Sequence, residues 1–150
     1  MNSDICRIVE TSEDHGLHIN TSKSLAMLFG KRKARERHKD SVRIRVKGST
    51  LPIQDYAKNL GVVLDSDLRF KKQVSEMIKK AFLNLKLIFR NRRSISQQIK
   101  SILCESLVLS QFNYCDALYG PCLDAADKYR IQKMQNSCLR LIYGVRKYDR

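Results

Sequence analysis

The sequence is poor in residues that interrupt regular structure. Its 150 residues include only 2 prolines and 6 glycines, while 43% are hydrophobic, a composition typical of a globular chain rather than a disordered one. No apolar run approaches the roughly 20 residues that span a bilayer, and the first residues do not form a signal peptide. We therefore expect one ordinary globular domain with its own core, with no membrane contact.

Paired cysteine motifs are also missing. None of the five cysteines belongs to a C-x-x-C pair, so a structural zinc site is not expected. An odd number of cysteines, placed mostly in apolar helical patterns, predicts reduced and buried thiols in an intracellular protein. Whether that protein is nuclear or cytoplasmic stays open. The cysteines are Cys6, Cys104, Cys115, Cys122 and Cys138.

Acidic residues are scarce where basic residues are densest. The chain has 29 Lys or Arg against 15 Asp or Glu, a formal net charge of +14. Residues 31–47 hold nine Lys or Arg against Glu36 and Asp40, a net charge of +7, and residues 69–100 hold ten against Glu76, a net charge of +9. Ordinary solvated surfaces mix both signs. Charge concentrated in this way predicts a polyanionic partner, above all nucleic acid.

No independent catalytic constellation is visible. His15, His18 and His38 have no matching group of Cys or carboxylates, so they predict neither a metal site nor a Ser/His/Asp triad. Asp65 and Asp67 directly follow an apolar run, where turn and helix-cap residues belong. We interpret these two aspartates as turn and N-cap, and we predict no metal site and no bound cofactor in the chain.

The first part of the chain predicts a short helix followed by strands. Residues 4–13 carry apolar side chains at helical spacing, and Gly16 ends the helix. Residues 17–20 and 24–29 have the character of strands. A basic loop, residues 31–41, follows them.

A hairpin and a central strand complete this part. Residues 42–46 alternate apolar and basic side chains, Lys47-Gly48-Ser49 makes a turn, and residues 50–53 return at an edge. Residues 60–64 form a short apolar run with two β-branched members, which predicts a buried strand.

Three long helices are predicted in the rest of the chain. Apolar positions from Phe70 to Phe89 keep a helical spacing over about twenty residues. Ser94-x-x-Gln97 resembles a capping box that opens a second helix, and a third ends at Gly144. The predicted fold class is α+β, a small antiparallel sheet followed by a mainly helical bundle.

Four ordered motifs carry a resemblance to a known family. They are Gly16-Leu17-His18-Ile19-Asn20-x-x-Lys23-Ser24; Leu60-Gly61-Val62-x-Leu64-Asp65 with Leu68-x-Phe70; Tyr114-Cys115 with Tyr119-Gly120; and Gln132-x-x-Gln135-Asn136-x-x-Leu139-Arg140-x-Ile142-x-Gly144. In this order they resemble the reverse transcriptases of non-LTR (LINE-like, jockey-type) retrotransposons, from the end of the palm to the thumb. The motifs cover nearly the whole chain and are specific as a set. Ser110 and Tyr119 depart from the usual Pro and Trp of the family.

The resemblance implies a role for each segment. Residues 1–64 would be a C-terminal palm remnant and residues 65–150 a helical thumb. Lys23 would approach the incoming triphosphate or pyrophosphate, although a solvent-exposed turn lysine is an equally good interpretation. The primer grip would be Leu60, Gly61 and Val62. The first thumb helix would contact an RNA–DNA or DNA duplex through Lys71, Lys72, Lys79, Lys80, Lys86 and Arg90.

The resemblance also implies what the chain lacks. The family holds its catalytic Mg²⁺ ions with an aromatic-x-Asp-Asp hairpin, because nucleotidyl transfer needs two closely held ions. That sequence does not occur here; the resemblance places it before Met1, with the rest of the palm and the fingers. We therefore expect a fragment of an RNA-directed DNA polymerase that is inactive alone.

Two alternative functions do not depend on the family resemblance. The charge by itself is sufficient for a stand-alone basic module that binds nucleic acid. A helical interaction protein whose basic face meets an acidic partner is the other alternative.

Overall fold

The computed structural model describes residues 2–146, and the fold is α+β, as the sequence predicts. About 60% of the structure is helical, and its strands form two small antiparallel two-stranded sheets. The chain divides into two compact units between Leu68 and Arg69. The assignment of residues 1–64 to a palm and 65–150 to a thumb stays a prediction.

Helix α1, Asn2–Asp14, ends in a cap that depends on glycine. Gly16 has φ +71, a conformation that glycine enters without a Cβ penalty. The N–H of Gly16 donates to the carbonyl of Glu13 at 2.9 Å, and the N–H of Leu17 donates to that of Ser12 at 2.8 Å. This pair of hydrogen bonds is a Schellman motif. The prediction that Gly16 ends the helix is confirmed.

The basic segment is a helix, so the prediction of a loop over residues 31–41 is wrong. Helix α2 spans Arg32–Lys39, and its Arg, Lys, Ala and Glu residues favour helix intrinsically. Arg32 and Glu36 add an i,i+4 ion pair at 2.8 Å. Arg35, half-buried, donates to Asp67 at 2.5 Å and to Asp55 at 3.4 Å. These distant carboxylates fix the helix in place.

Two hairpins with two-residue turns supply the strands. In the first, β1 (Arg45–Val46) pairs with β2 (Ser49–Thr50). In the second, β3 (Tyr56–Asn59) pairs with β4 (Val62–Asp65). The two residues of each turn have positive φ, as a type I′ turn requires. The turn residues are Lys47 and Gly48 in the first hairpin and Leu60 and Gly61 in the second.

The other predicted strands of this unit do not form. Residues 17–20 are not part of a strand, and the run 24–29 contributes only a parallel bridge between Ala26 and Ile53. Ala26 donates to the carbonyl of Pro52 and accepts from the N–H of Gln54, both at 2.9 Å. With so little pairing, the unit buries few apolar side chains, namely Val9, Ala26, Val46, Val62 and Val63.

The second unit begins with helix α3, Lys71–Arg90, 20 residues long, as predicted. The cap is not as predicted. Phe70 occupies the N-cap position with φ +54 and no side-chain cap. Asp65 ends strand β4, and Asp67 binds Arg35, so the interpretation of these aspartates as an N-cap is wrong.

A second helical passage covers three consecutive segments. Helix α4 (Gln97–Leu103) leads into a π-helical segment, Cys104–Leu109, and then into helix α5 (Ser110–Asn113). Ser96, not Ser94, caps the passage by accepting from the N–H of Ile99 at 3.3 Å. The N-cap therefore lies two residues beyond the predicted one, and Ile99 at the third helical position cannot complete a capping box, so that prediction is wrong.

Helix α6 (Asp116–Tyr119), a 3₁₀ turn (Gly120–Cys122) and helix α7 (Ala125–Tyr143) complete the unit. Asp124 caps α7, and Gly144, with φ +70, ends it, so the predicted end is confirmed. Buried Tyr119 donates its hydroxyl proton to the carbonyl of Phe112.

The core of this unit lies where α3, the π-helical segment and α7 meet. Cys104 and Cys138 are both buried there, and burial raises the pKa of Cys138 to about 12. All five cysteines are free, but Cys6, Cys115 and Cys122 are exposed. The prediction of buried thiols therefore holds for two cysteines and is wrong for three: Cys6 lies on the exposed side of α1, Cys115 in the turn before α6, and Cys122 in the 3₁₀ turn.

Helix α1 should be the least protected long helix in hydrogen exchange. Val9 is its only buried residue, whereas α3 buries six, and an isolated helix of this length is marginal in water. We expect amides in residues 3–14 to exchange much faster than those in the middle of α3. Equal protection in both helices would contradict this expectation.

Candidate nucleic-acid interface

Helix α3 carries the candidate interface. One of its faces is buried in the core, so the other face is exposed and can bind a partner. Its buried residues recur every three or four positions, the period of an α-helix. They are Gln73, Val74, Met77, Ala81, Leu85 and Ile88. The opposite face is left for charged groups, and Glu76 is the helix's only acidic residue.

Three cations share a line on that opposite face. Lys79 and Lys86 are seven residues apart, close to two full turns, and Arg90 follows Lys86 by one turn. All three are exposed, and within residues 2–146 none of them forms a salt bridge. We call Lys79, Lys86 and Arg90 the basic stripe. Lys72 continues the same line by spacing and is also exposed.

Lys80 and Lys71 differ from the basic stripe. Lys80 is exposed but lies one residue, about 100° of rotation, from Lys79. Lys71 donates its ammonium protons to Asp124 and, at 2.7 Å, to Asp127. Its charge is therefore already neutralised within the protein, unlike the charges of the stripe.

The carboxylate of Asp127 is the centre of this ion cluster. Its side chain is 3% exposed, and it also accepts from Arg130 at 3.1 Å. Asp124 accepts from the N–H of Asp127 at 2.9 Å and so caps α7. The two carboxylates raise the pKa of Lys71, and the Lys71 ammonium lowers the pKa of Asp124. The cluster joins the first turns of α3 and α7.

The exposed side of α3 is not only basic. Four large apolar side chains, each about half exposed, flank the basic stripe; they are Phe82, Leu83, Leu87 and Phe89. The sequence-based assignment of Phe89 to the core face is therefore wrong, because α7 passes beside this residue without covering it. Helical spacing places Phe82 and Phe89 on one side of α3, and their seven-residue separation is the sequence signal for this apolar pair.

In the first unit, Lys23 is presented by a short turn. The turn Thr21–Lys23 is capped by Asn20, whose side-chain oxygen accepts from the N–H groups of Ser22 at 3.0 Å and Lys23 at 3.3 Å. Ser24 donates its hydroxyl proton to the carbonyl of Asn20 at 2.8 Å. The Asn-x-x-Lys-Ser motif is thus a local structure that holds Lys23 at the surface, where it is exposed.

The three residues assigned to a primer grip occupy two different environments. Leu60 and Gly61 form the tip of the second hairpin, with φ +46 and +87, and Leu60 is 85% exposed. Only Val62 lies in a strand, where it is buried. The prediction of a buried strand beginning at Leu60 is wrong, because a two-residue turn needs positive φ at both positions.

The candidate residues therefore fall into separate groups. The basic stripe lies on one helix of the second unit, while Lys23 and the hairpin tip belong to the first. Among residues 2–146, no group of three or more His, Cys, Asp or Glu is placed to hold a metal ion. No helix in that range has the length and apolar character to cross a membrane.

No protein-family model, no curated protein and no solved structure matches this chain.

Replacing Lys71 by Met should destabilise the fold at neutral pH. Asp124, with its lowered pKa, contributes stability above its ordinary pKa and loses it as pH falls through the lowered value. Lys71, with its raised pKa, contributes below its ordinary pKa and loses it as pH rises through the raised value. In urea unfolding, the difference between wild type and Lys71→Met should be largest near neutrality and shrink in acid.

Lys79→Met is the matched control for this substitution. It removes the same charge from the same helix, at an exposed position without a salt bridge, so its effect should stay within about 0.5 kcal/mol. Equal unfolding midpoints for the two variants would show that the ion cluster contributes nothing.

Proposed function

We propose that the chain is the C-terminal palm and thumb portion of a non-LTR retrotransposon reverse transcriptase, acting inside the cell. Its part would be to hold the template–primer duplex, while the catalytic ions belong to the missing palm. The observation that supports this most directly is the basic stripe of Lys79, Lys86 and Arg90, which is exposed on a helix whose other face is buried.

The spacing of the stripe suits phosphates. Lys79 and Lys86 are about 10 Å apart along the helix axis, and B-DNA rises about 3.4 Å per base pair. A helix lying along a duplex would then meet phosphates roughly three base pairs apart. Contacts of this kind position a duplex and read no sequence, as a polymerase thumb requires.

The two motifs of the first unit support the family assignment in a different way. The capped turn that holds Lys23 at the surface suits a contact with triphosphate or pyrophosphate, since an exposed ammonium can neutralise either. The hairpin tip at Leu60 and Gly61 exposes an apolar side chain and a glycine backbone, which suits close approach to a primer end.

The isolated chain should not synthesise DNA. The aromatic-x-Asp-Asp sequence is absent, and two held metal ions are required for this chemistry. With a primed RNA template and Mg²⁺ or Mn²⁺, we expect no primer extension above that of a heat-denatured sample. Template-dependent extension by protein purified free of other polymerases would refute the assigned role.

Removing the basic stripe should weaken duplex binding and flatten its salt dependence. Each neutralised phosphate contributes about 0.9 to the logarithmic salt slope on B-DNA. The triple variant Lys79→Ala, Lys86→Ala, Arg90→Ala should therefore lower the slope by up to about 3 on B-DNA, equally for unrelated sequences. Fluorescence anisotropy with an RNA–DNA hybrid and a DNA duplex at several salt concentrations measures the affinity and its salt slope.

A control triple variant distinguishes the effect of the basic stripe from the effect of net charge. Lys31, Lys33 and Arg37 lie in or beside α2, are exposed, and carry the same total charge. Their replacement by Ala should change the slope much less. Equal losses in the two triples would mean that binding follows net charge, and an unchanged slope in the folded stripe variant would remove α3 from the interface.

A further inference from the structure

An open apolar groove lies between the second halves of α3 and α7. Its volume is about 330 Å³. Leu85 and Leu141, both buried, belong to its lining, and half-exposed Phe82 and Phe89 line it from α3. Val145, just beyond α7, also lines it. An apolar groove of this kind can bind the apolar face of an amphipathic helix.

Among residues 2–146, the charged side chains that line the groove have one sign. Lys86 on α3 and Arg140 on α7 both line it. Residues 77–104 and 128–146 contain no Asp or Glu, so neither helix offers an acid along these stretches. An occupant with acidic residues beside its apolar side chains would therefore be attracted, and a basic one repelled.

The groove suits apolar side chains better than nucleic-acid bases. Bases carry polar edges, and burying these without hydrogen bonds costs free energy. Ser137 provides a hydroxyl in the lining, but its proton is already donated to the carbonyl of Lys133 at 2.8 Å. Phe89 is also covered on one face by the Arg92 guanidinium, 3.9 Å from the ring centroid, which leaves less of the ring for base stacking.

We propose that this groove binds an acidic amphipathic helix of another protein, with apolar side chains seated between Phe82 and Phe89 and carboxylates against Lys86 and Arg140. Phe82 and Phe89 are two turns, about 10 Å, apart along α3, which leaves room between them for apolar side chains that are one turn apart on the partner helix. The two interactions share Lys86, but the apolar contacts at Phe82 and Phe89 and the contact at Arg140 lie outside the basic stripe.

A synthetic peptide of about 18 residues, with Leu at i, i+4, i+7 and i+11 and Glu at the flanking positions, is the probe. A second peptide replaces each Glu by Lys. In fluorescence anisotropy with the full chain, the acidic peptide should bind saturably, and the basic peptide should bind at least about tenfold more weakly. No binding of the acidic peptide, or equal binding of both, overturns the proposal.

Variants locate the site. Phe82→Ser and Phe89→Ser should each weaken peptide binding by about tenfold, as expected for the loss of an apolar anchor. Leu83→Ser is the matched control: Leu83 is 53% exposed against 57% for Phe82, on the same helix but outside the groove. Arg140→Glu should weaken the acidic peptide, while Lys133→Glu, on the same helix outside the groove, should do so less. Circular dichroism verifies that each variant is folded.

Other occupants give different results. If Phe82→Ser removes binding of a single-stranded oligonucleotide and leaves peptide binding unchanged, the groove stacks bases and the proposal fails. If sedimentation shows a wild-type dimer that Phe82→Ser dissociates, the groove is an interface between copies of this chain, and the proposal also fails. The duplex salt slope of Phe82→Ser should equal that of wild type, so that failure here is distinguishable from failure of the proposed duplex binding.

Discussion

The ion cluster of Lys71, Asp124 and Asp127 is the constraint on which the helical unit depends. A carboxylate as buried as that of Asp127 is costly unless it is paired, and here both Lys71 and Arg130 donate to it. Lys71 opens α3 and Asp124 caps α7, so one cluster fixes the starts of both helices side by side. The two helices then run in the same direction, and their second halves lie together.

Parallel helices impose a requirement on the chain between them. It must return about 30 Å, the length of a twenty-residue helix, before α7 can begin. The helical passage Gln97–Asn113 makes this return, and its π-helical segment packs on α3. There the side-chain amide of Asn84 donates to the carbonyl of Leu107 at 2.7 Å. Cys104 in the same segment meets Cys138 of α7, which joins all three elements in one core.

Sequence periodicity predicts the long helices well because each buries a regular stripe, and it places α3 and the end of α7 correctly. It fails where the deciding contact is distant. Asp67 has the chemistry of a helix cap, but it binds Arg35, and Phe70 takes the cap position. Leu60 has the character of a strand residue, but the register of the hairpin puts it in the turn.

The same distinction applies to the candidate sites. The seven-residue spacing of Lys79 and Lys86 is local, so the sequence is sufficient to place them on one face. Lys71, by contrast, forms ion pairs with Asp124 and Asp127, which lie more than fifty residues away in the sequence. The apolar groove likewise needs α7 beside Phe82 and Phe89. Parallel alignment brings the acid-free halves of both helices to the same end, where any anion is attracted. What separates two anionic ligands there is apolar contact: a duplex needs only the exposed cations of the basic stripe, whereas an acidic helix also needs the apolar lining of Phe82 and Phe89 beside Lys86 and Arg140.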